Sequence, residues 1–336
     1  MAASANGLGD APRSYATRPH IFLLDRSFAI AVNAAAGIFV VLVLGLFAML
    51  VHGSWESLHA FGLRFLVSST WNPVTSTFGA LPFVYGTVVS SLIALLIAGI
   101  LGVLAAAYLA EFAPRFIAAP LSFLIEMLAA VPSVVFGLWG LFVLAPFLRT
   151  YVAPPLQAHL GWLPIFAGPY YGVGLFTAGI LLAIMIFPTV AAITRDLIRA
   201  VPSEMREGSY ALGATRWETV RRVVLPAAGS GIFGACVLAL GRALGETIAV
   251  TMVIGNRAVI AASLFAPSYT LSSVVANEFT EATTSVYLSA LVELGLILFL
   301  ISVVVNGLAR LLIWKPQLLA NGSRVLTWTL RRRAGA

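Results

Sequence analysis

Arg242 and Glu246 stand four positions apart inside a long apolar block. That spacing places both on one face of a helix. An arginine at the centre of a bilayer costs about 2.5–3.5 kcal/mol on insertion scales, so it must face a partner or a water-filled path. Its guanidinium is a planar fork of donors that fits the oxygens of an oxyanion. Two readings follow: a neutralising ion pair that helps the helix assemble, or a pair lining a substrate path. The rest of the chain is poor in reactive groups. No His/Asp/Glu set has metal-ligand spacing, and the histidines are scattered in the leader and the loops. The one cysteine, Cys236, lies in an apolar block, so no disulfide can form within the chain and a packing role is expected. Lys315 is the only lysine, is followed by Pro316 and has no glycine-rich loop before it, so a P-loop is excluded. The chain is therefore expected to be no enzyme, with no metal and no cofactor of its own.

The elements that hold these charges are set by composition. Of 336 residues, 60% are hydrophobic and 10% charged, and the mean hydropathy is +0.98. A soluble domain of this length needs far more charge to cover its surface. The net charge of +7 comes from basic residues flanking the apolar blocks, which suits a membrane surface and not nucleic acid. The expected fold class is all-α, a polytopic membrane protein with six transmembrane helices at 28–51, 85–109, 133–148, 172–194, 227–254 and 285–314. The first block follows a polar leader and is too long for the core of a signal peptide, so it reads as a retained span.

The third span is the difficult one, because apolar sequence runs from Phe116 to Leu148 and is broken by Glu126 and Pro132. One straight helix is too long for a bilayer, and proline disrupts a helix interior. With two crossings, the six arginines from Arg195 to Arg222 would face outward, against the positive-inside rule. One crossing is therefore expected, with both termini cytosolic. The organisation predicted is a cytosolic N-terminal tail over 1–27, a transmembrane domain over 28–315 and a basic cytosolic tail over 316–336. Outside, the loop from His52 to Val84 carries Trp55, Trp71, Asn72 and Pro73, suited to an aromatic belt and turns. Val259 to Phe265 is too short to span, and Thr270 is placed to cap a short helix ending near Phe279.

The loop between the fourth and fifth spans is the most informative stretch. Pro202 is placed to start a helix and Gly213 to end it. Thr215 followed by Glu218 is a capping box that starts a second helix at once, and Pro226 resets the chain as it enters the fifth span. Two short helices joined at a glycine elbow are predicted over 200–226. Met205, Tyr210 and Leu212 remain as apolar anchors for a partner's groove. The plain alternative is an amphipathic connector lying on headgroups.

The spacing of Glu207, Gly213 and Val223-x-Leu225-Pro226 resembles the EAA signature of ABC-importer permeases, with Gly208 and Ser209 where the family has alanines and Val223 where it has isoleucine. In that family the loop is the coupling helix that docks into the ATPase. Three further stretches, Leu240 to Asn256, Glu126 to Gly140 and Ser263 to Phe279, resemble the PstC-type permease family of the bacterial phosphate ABC importer. The similarity covers roughly residues 28 to 315. The resemblance implies coupling to the ATPase through Glu207, Gly208, Tyr210, Ala211, Gly213 and Ala214, a substrate pathway with Arg242, Glu246, Thr247 and Asn256, and hinges at Pro132 and Pro226. It also implies partners: a homologous PstA-like permease, a PstB-like ATPase homodimer that binds ATP and Mg, and an extracytoplasmic PstS-like binding protein. The location implied is the bacterial cytoplasmic (inner) membrane.

Under that resemblance Glu246 gains a use. Phosphate near neutral pH still carries a proton to donate and sulfate has none, so a carboxylate accepts the first and repels the second. Glu126 suits a helix-end hydrogen bond as well as a pore role, and Glu293 would face Arg242 or a neighbouring subunit. Gly241 and Gly245 form a small-xxx-small step for close helix packing. Rival readings are a permease for another oxyanion, such as sulfate or molybdate, a secondary carrier or channel, and a membrane enzyme or scaffold. A carrier explains the spans and the charged pair but not the loop, and an enzyme lacks a reactive cluster. Glu207→Ala and Gly213→Val are expected to uncouple ATP hydrolysis from transport while substrate docking persists. Parallel hydrolysis and uptake assays check this, and normal coupling in both variants would remove the loop from the account.

Overall fold

The computed structural model describes the backbone of residues 19–334 and the side chains of residues 26–311. The tail expected at 1–27 lies outside the described residues through residue 18. The helices are α1 (Pro19–Gly53), α2 (Trp55–Phe61), α3 (Arg64–Val67), α4 (Leu81–Phe112), α5 (Arg115–Ala129) and α6 (Ser133–Leu160). They continue with α7 (Leu175–Arg199), α8 (Ser203–Ala211), α9 (Arg216–Gly245), α10 (Ile248–Val253), α11 (Leu271–Glu278) and α12 (Ser285–Ala334). Six stretches are long and apolar enough to cross a bilayer: 26–53, 81–112, 133–160, 175–199, 216–245 and 285–311. The chain divides into two units, one ending at Met49 and one starting at Leu50. The first is the greater part of α1, and the second holds everything described below.

Patterning on α4 is inverted relative to a soluble helix. Ala94, Ala98, Gly102 and Ala106 recur every fourth residue and are buried, whereas Leu92, Leu96, Ile100 and Leu104 recur at the same interval and are exposed. Small residues face inward because close backbone approach, not hydrophobic burial, joins helices in lipid. The partner is α7. A Cβ on Gly102 would lie 2.9 Å from Val190, and one on Gly179 would lie 2.7 Å from Ile93. The expected close step at Gly241 and Gly245 is not used among the described residues: a Cβ at Gly241 meets only the Asn306 amide at 3.9 Å, and one at Gly245 meets nothing within 4 Å. Leu181, Leu182, Ile186 and Val190 of α7 are at most 1% exposed, which makes α7 the centre of the bundle.

The third crossing is single, as charge parity requires. Pro132, extended at ψ 141°, separates α5 from α6, and α6 runs to Leu160, well past the expected end at 148. The segment between α10 and α11 folds into the bundle. The carbonyls of Val253 at the end of α10 and of Ala266 and Leu264 in that segment accept from the N–H groups of Gly174, Leu175 and Phe176 at 2.9, 3.1 and 2.7 Å. These are donors at the start of α7 that no intrahelical bond can satisfy. Phe265 beside them is buried in the main core. Thr270 caps α11 with Ser273, close to the expected register.

Trp71 belongs to a packed aromatic cluster and not to a lipid-facing belt. Its ring sits 4.8 Å from both Phe78 and Phe83, and its Nε1 donates to Glu278 at 2.8 Å. Burial pushes the neighbouring Tyr269 phenol up to about 12, against the Asn277 hydrogen bond and with Glu278 adding to the rise. Glu278 Oε2 accepts from Tyr287 Oη at 2.6 Å as well as from Trp71.

Candidate functional site

The loop between α7 and α9 forms the elbow that its caps encode. Pro202, with φ −55° and ψ 140°, precedes α8. Gly213 turns the chain with φ +84°, and a Cβ there would meet nothing within 4 Å. Conformation, not space, therefore requires glycine at that position. The capping box is complete: the Glu218 amide donates to Thr215 Oγ1 at 3.3 Å, and the Thr215 amide donates to Glu218 Oε2 at 2.9 Å. A 2.9 Å hydroxyl contact between Ser209 and Thr219 ties the two arms together. No residue of α8 is buried, and Glu207, Gly208, Tyr210, Ala211 and Gly213 are exposed with Ala214 half-buried. Leu212 is 91% exposed, an apolar side chain held outward at the tip.

Pro226 behaves differently from expectation. The helix passes through it without a reset, because the turn Val220–Val224 just ahead is wound as a π turn. Widening that turn relieves the clash a proline ring makes with the carbonyl one turn back. The second arm of the elbow and the fifth span are thus one helix, α9.

The break comes later, at Glu246. α9 ends at Gly245, Glu246 is extended with φ −68° and ψ 125°, and α10 begins at Ile248. The expected single helix over 227–254 is therefore two pieces, and Arg242 and Glu246 do not share a helix face. Glu246 Oε1 accepts from the Ala249 amide at 3.4 Å, and its carbonyl accepts from Ser272 Oγ at 2.8 Å. A carboxylate at the start of a helix offsets the unpaired amides there. Arg242 is exposed and donates to Thr189 Oγ1 of α7 at 3.4 Å. Thr247 Oγ1 donates to the Gly245 carbonyl at 3.2 Å, and Asn256, at φ +48°, donates to the Thr251 carbonyl at 2.9 Å. Three of the four expected pathway residues thus flank one helix break, Glu246 and Thr247 holding its backbone, and Asn256 lies past the far end of α10.

Among the described residues the ion pairs lie elsewhere. Arg195 of α7 meets Glu126 and Asp196, each at 2.9 Å, so Glu126 serves an interhelical pair. Arg206 of α8 meets Glu111 of α4 at 2.8 Å, a contact that sequence reasoning missed. The available signal was a carboxylate, Glu111, closing the second apolar block, and along the chain Arg115, four residues on, was the nearer candidate partner. Glu293 is buried and accepts from Ser57 Oγ of α2, whose amide in turn donates to Ser289 Oγ at 3.0 Å. It faces α2 and not Arg242.

Six apolar spans, a broken fifth segment and an outward-held elbow define an α-helical, multi-pass membrane protein. The chain belongs to the family described as binding-protein-dependent transport system inner membrane component, which matches residues 98–315. It is 49% identical over 304 residues to the phosphate transport system permease protein PstC of Mesorhizobium japonicum, covering 89% of this chain and 93% of the relative. It is 47% identical over 285 residues to the protein of the same description from Pasteurella multocida, covering 83% and 89%. A solved structure of the MetNI methionine ABC transporter, inward facing, is similar at a TM-score of 0.48 and 18% identity, covering 68% of this chain and 93% of that one.

Because Arg242 has no carboxylate partner among the described residues, Arg242→Gln is expected to shift folded stability by less than about 1 kcal/mol, not the roughly 3–5 kcal/mol lost when a buried pair is broken. Melting of the purified protein in detergent checks this, and a large loss would show that Arg242 is a structural residue.

Proposed function

We propose that this chain is the permease subunit of an ATP-driven phosphate importer, forming half of the translocation path and docking a separate ATPase through α8. The observation that carries the reading is the elbow: a helix with no buried residue, braced on its neighbour and set at the EAA-like positions of a chain that is 49% identical to a phosphate permease. An amphipathic connector lying on headgroups would sink an apolar face. Here Leu212 and Tyr210 sit at an elbow tip whose shape suits a groove.

The chain is a non-catalytic subunit, and ATP and Mg bind a PstB-like ATPase dimer. A PstA-like permease completes the path, and a PstS-like protein delivers phosphate from outside. Positive charge flanking α7 and α9 supports a cytosolic elbow and cytosolic termini in the bacterial inner membrane. ATP-driven closure of the ATPases moves α8, and the spans rock from outward- to inward-open. The break at Glu246 bears on the substrate. Irregular backbone at membrane depth is tolerated where it is buried in protein or lines a cavity, and here it lies next to an exposed guanidinium. Arg242 attracts the anion, and Glu246 favours an anion that still has a proton to donate.

The test is uptake by the reconstituted assembly. Radiolabelled phosphate uptake should stop on ATP depletion even with an ion gradient present, whereas a secondary carrier would continue. In Glu246→Gln, phosphate uptake should fall by about 10-fold or more, the loss of one charge-assisted hydrogen bond. Unchanged phosphate uptake with sulfate still excluded would remove Glu246 from substrate recognition.

A further inference from the structure

The guanidinium of Arg206 joins three elements at one point. Its Nε and Nη2 donate to Glu111 Oε1 at 3.0 and 2.8 Å, reaching the π turn Tyr108–Phe112 that ends α4. Nη2 also donates to the Ile198 carbonyl at 2.7 Å, and Nη1 donates to the Val201 carbonyl at 2.5 Å. Those carbonyls belong to the last turn of α7 and the residues after it, and the Ile198 carbonyl also accepts from the Val201 amide at 3.3 Å. Glu111 is 8% exposed, and an apolar cluster that includes Ala107, Ile198 and Val224 surrounds the junction. A charge pair so shielded is screened far less than a surface pair. The fork reaches these acceptors from three separate nitrogens held in one plane, whereas a lysine carries its three donors on a single freely rotating nitrogen.

The next residue of the same π turn reaches the other arm of the elbow. The Phe112 ring lies 6.4 Å from that of Trp217, and the Arg216 guanidinium sits over it at 5.3 Å. Two consecutive residues at the end of α4 thus grip both arms, Glu111 holding α8 and Phe112 holding the start of α9. Ser209 of α8 also meets Thr219 of α9 at 2.9 Å, while Arg206 is the side chain of α8 that ties it to α4 and α7.

We infer that Arg206 is a positioning residue that locks the elbow helix α8 to the ends of α4 and α7, so that a push on α8 moves these two spans. The inference rests on the permease reading given above and deepens it. Without the lock, α8 would follow the ATPase while the spans lag. Hydrolysis would then continue, and each cycle would move less substrate.

The test uses the assembled importer in proteoliposomes with its phosphate-loaded binding protein, measuring uptake and ATP hydrolysis in the same vesicles. Arg206→Gln is expected to lower the uptake-to-hydrolysis ratio by about 5- to 150-fold, the range of ordinary coupling energies, with hydrolysis retained. Arg206→Lys and Glu111→Gln should fall between it and the parent protein. The reciprocal exchange, Arg206→Glu with Glu111→Arg, restores opposite charges but turns a carboxylate toward the Ile198 and Val201 carbonyls, so it should not rescue the ratio. Full rescue by the exchange, or a parental ratio in Arg206→Gln, would overturn the lock. If Arg206→Gln does not assemble, Glu111→Gln decides by the same ratio, a reduced value supporting the lock and a parental value overturning it. Amide exchange over residues 203–213 reads the lock without transport. It should quicken in Glu111→Gln and Arg206→Lys, and unchanged exchange overturns the inference. A parent protein without ATP-driven phosphate uptake would instead refute the permease reading, and the exchange result would still decide the lock.

Discussion

In a chain with so few charges and so much apolar surface, every charge or bare backbone group taken into the interior must meet its partner inside the protein. The Arg206–Glu111 pair is where that requirement and the proposed function coincide. Removing either member leaves an uncompensated charge beside an apolar cluster, and removing Arg206 also takes one donor from each of the Ile198 and Val201 carbonyls. The same constraint governs the other buried charges. Arg195 sits between Glu126 and Asp196, and Glu293 is held by a serine hydroxyl. Arg242 is the exception, an exposed guanidinium bound to a hydroxyl.

Backbone follows the same rule. The irregular segment after α10 caps the start of α7 with carbonyls of its own, so a broken stretch inside the bundle satisfies a helix end that would otherwise be bare. In turn α11 steadies the break, as Ser272 donates to the Glu246 carbonyl. Central helix, broken segment and the short helix α11 therefore form one connected unit at one end of the bundle. At the opposite end, α4, α7, α8 and the start of α9 form another, joined through Arg206 and Phe112. The helices α4 and α7 run between the two units, packed through small residues that leave little slack.

What the sequence made legible was local. Pro202, Gly213 and the Thr215–Glu218 box each act within a turn or two, and the elbow follows from them. The number of spans and the single third crossing follow from block length and charge parity. The break at Glu246 was not legible, because Gly-Glu-Thr in an apolar run reads as continuing helix and its stabilising contact comes from Ser272 on another element. Pro226 misled in the opposite sense: proline argues for a reset, and the π turn that absorbs it has no plain sequence mark. Glu111 and Arg206 are 95 positions apart and meet only once α4 and α7 are packed. The family resemblance named the coupling residues, and the three-way contact beside them needed coordinates.

The central claim is that α8 and the ends of α4 and α7 move as one body. The direct measurement is a pair of cryo-electron microscopy structures of the assembled importer, one nucleotide-free and one trapped with ATP. The account requires Arg206 to stay within ion-pair distance of Glu111 and hydrogen-bonded to the Ile198 carbonyl in both, while α8 and those helix ends shift together. A shift of α8 that parts Arg206 from Glu111 and leaves α4 and α7 in place would contradict it.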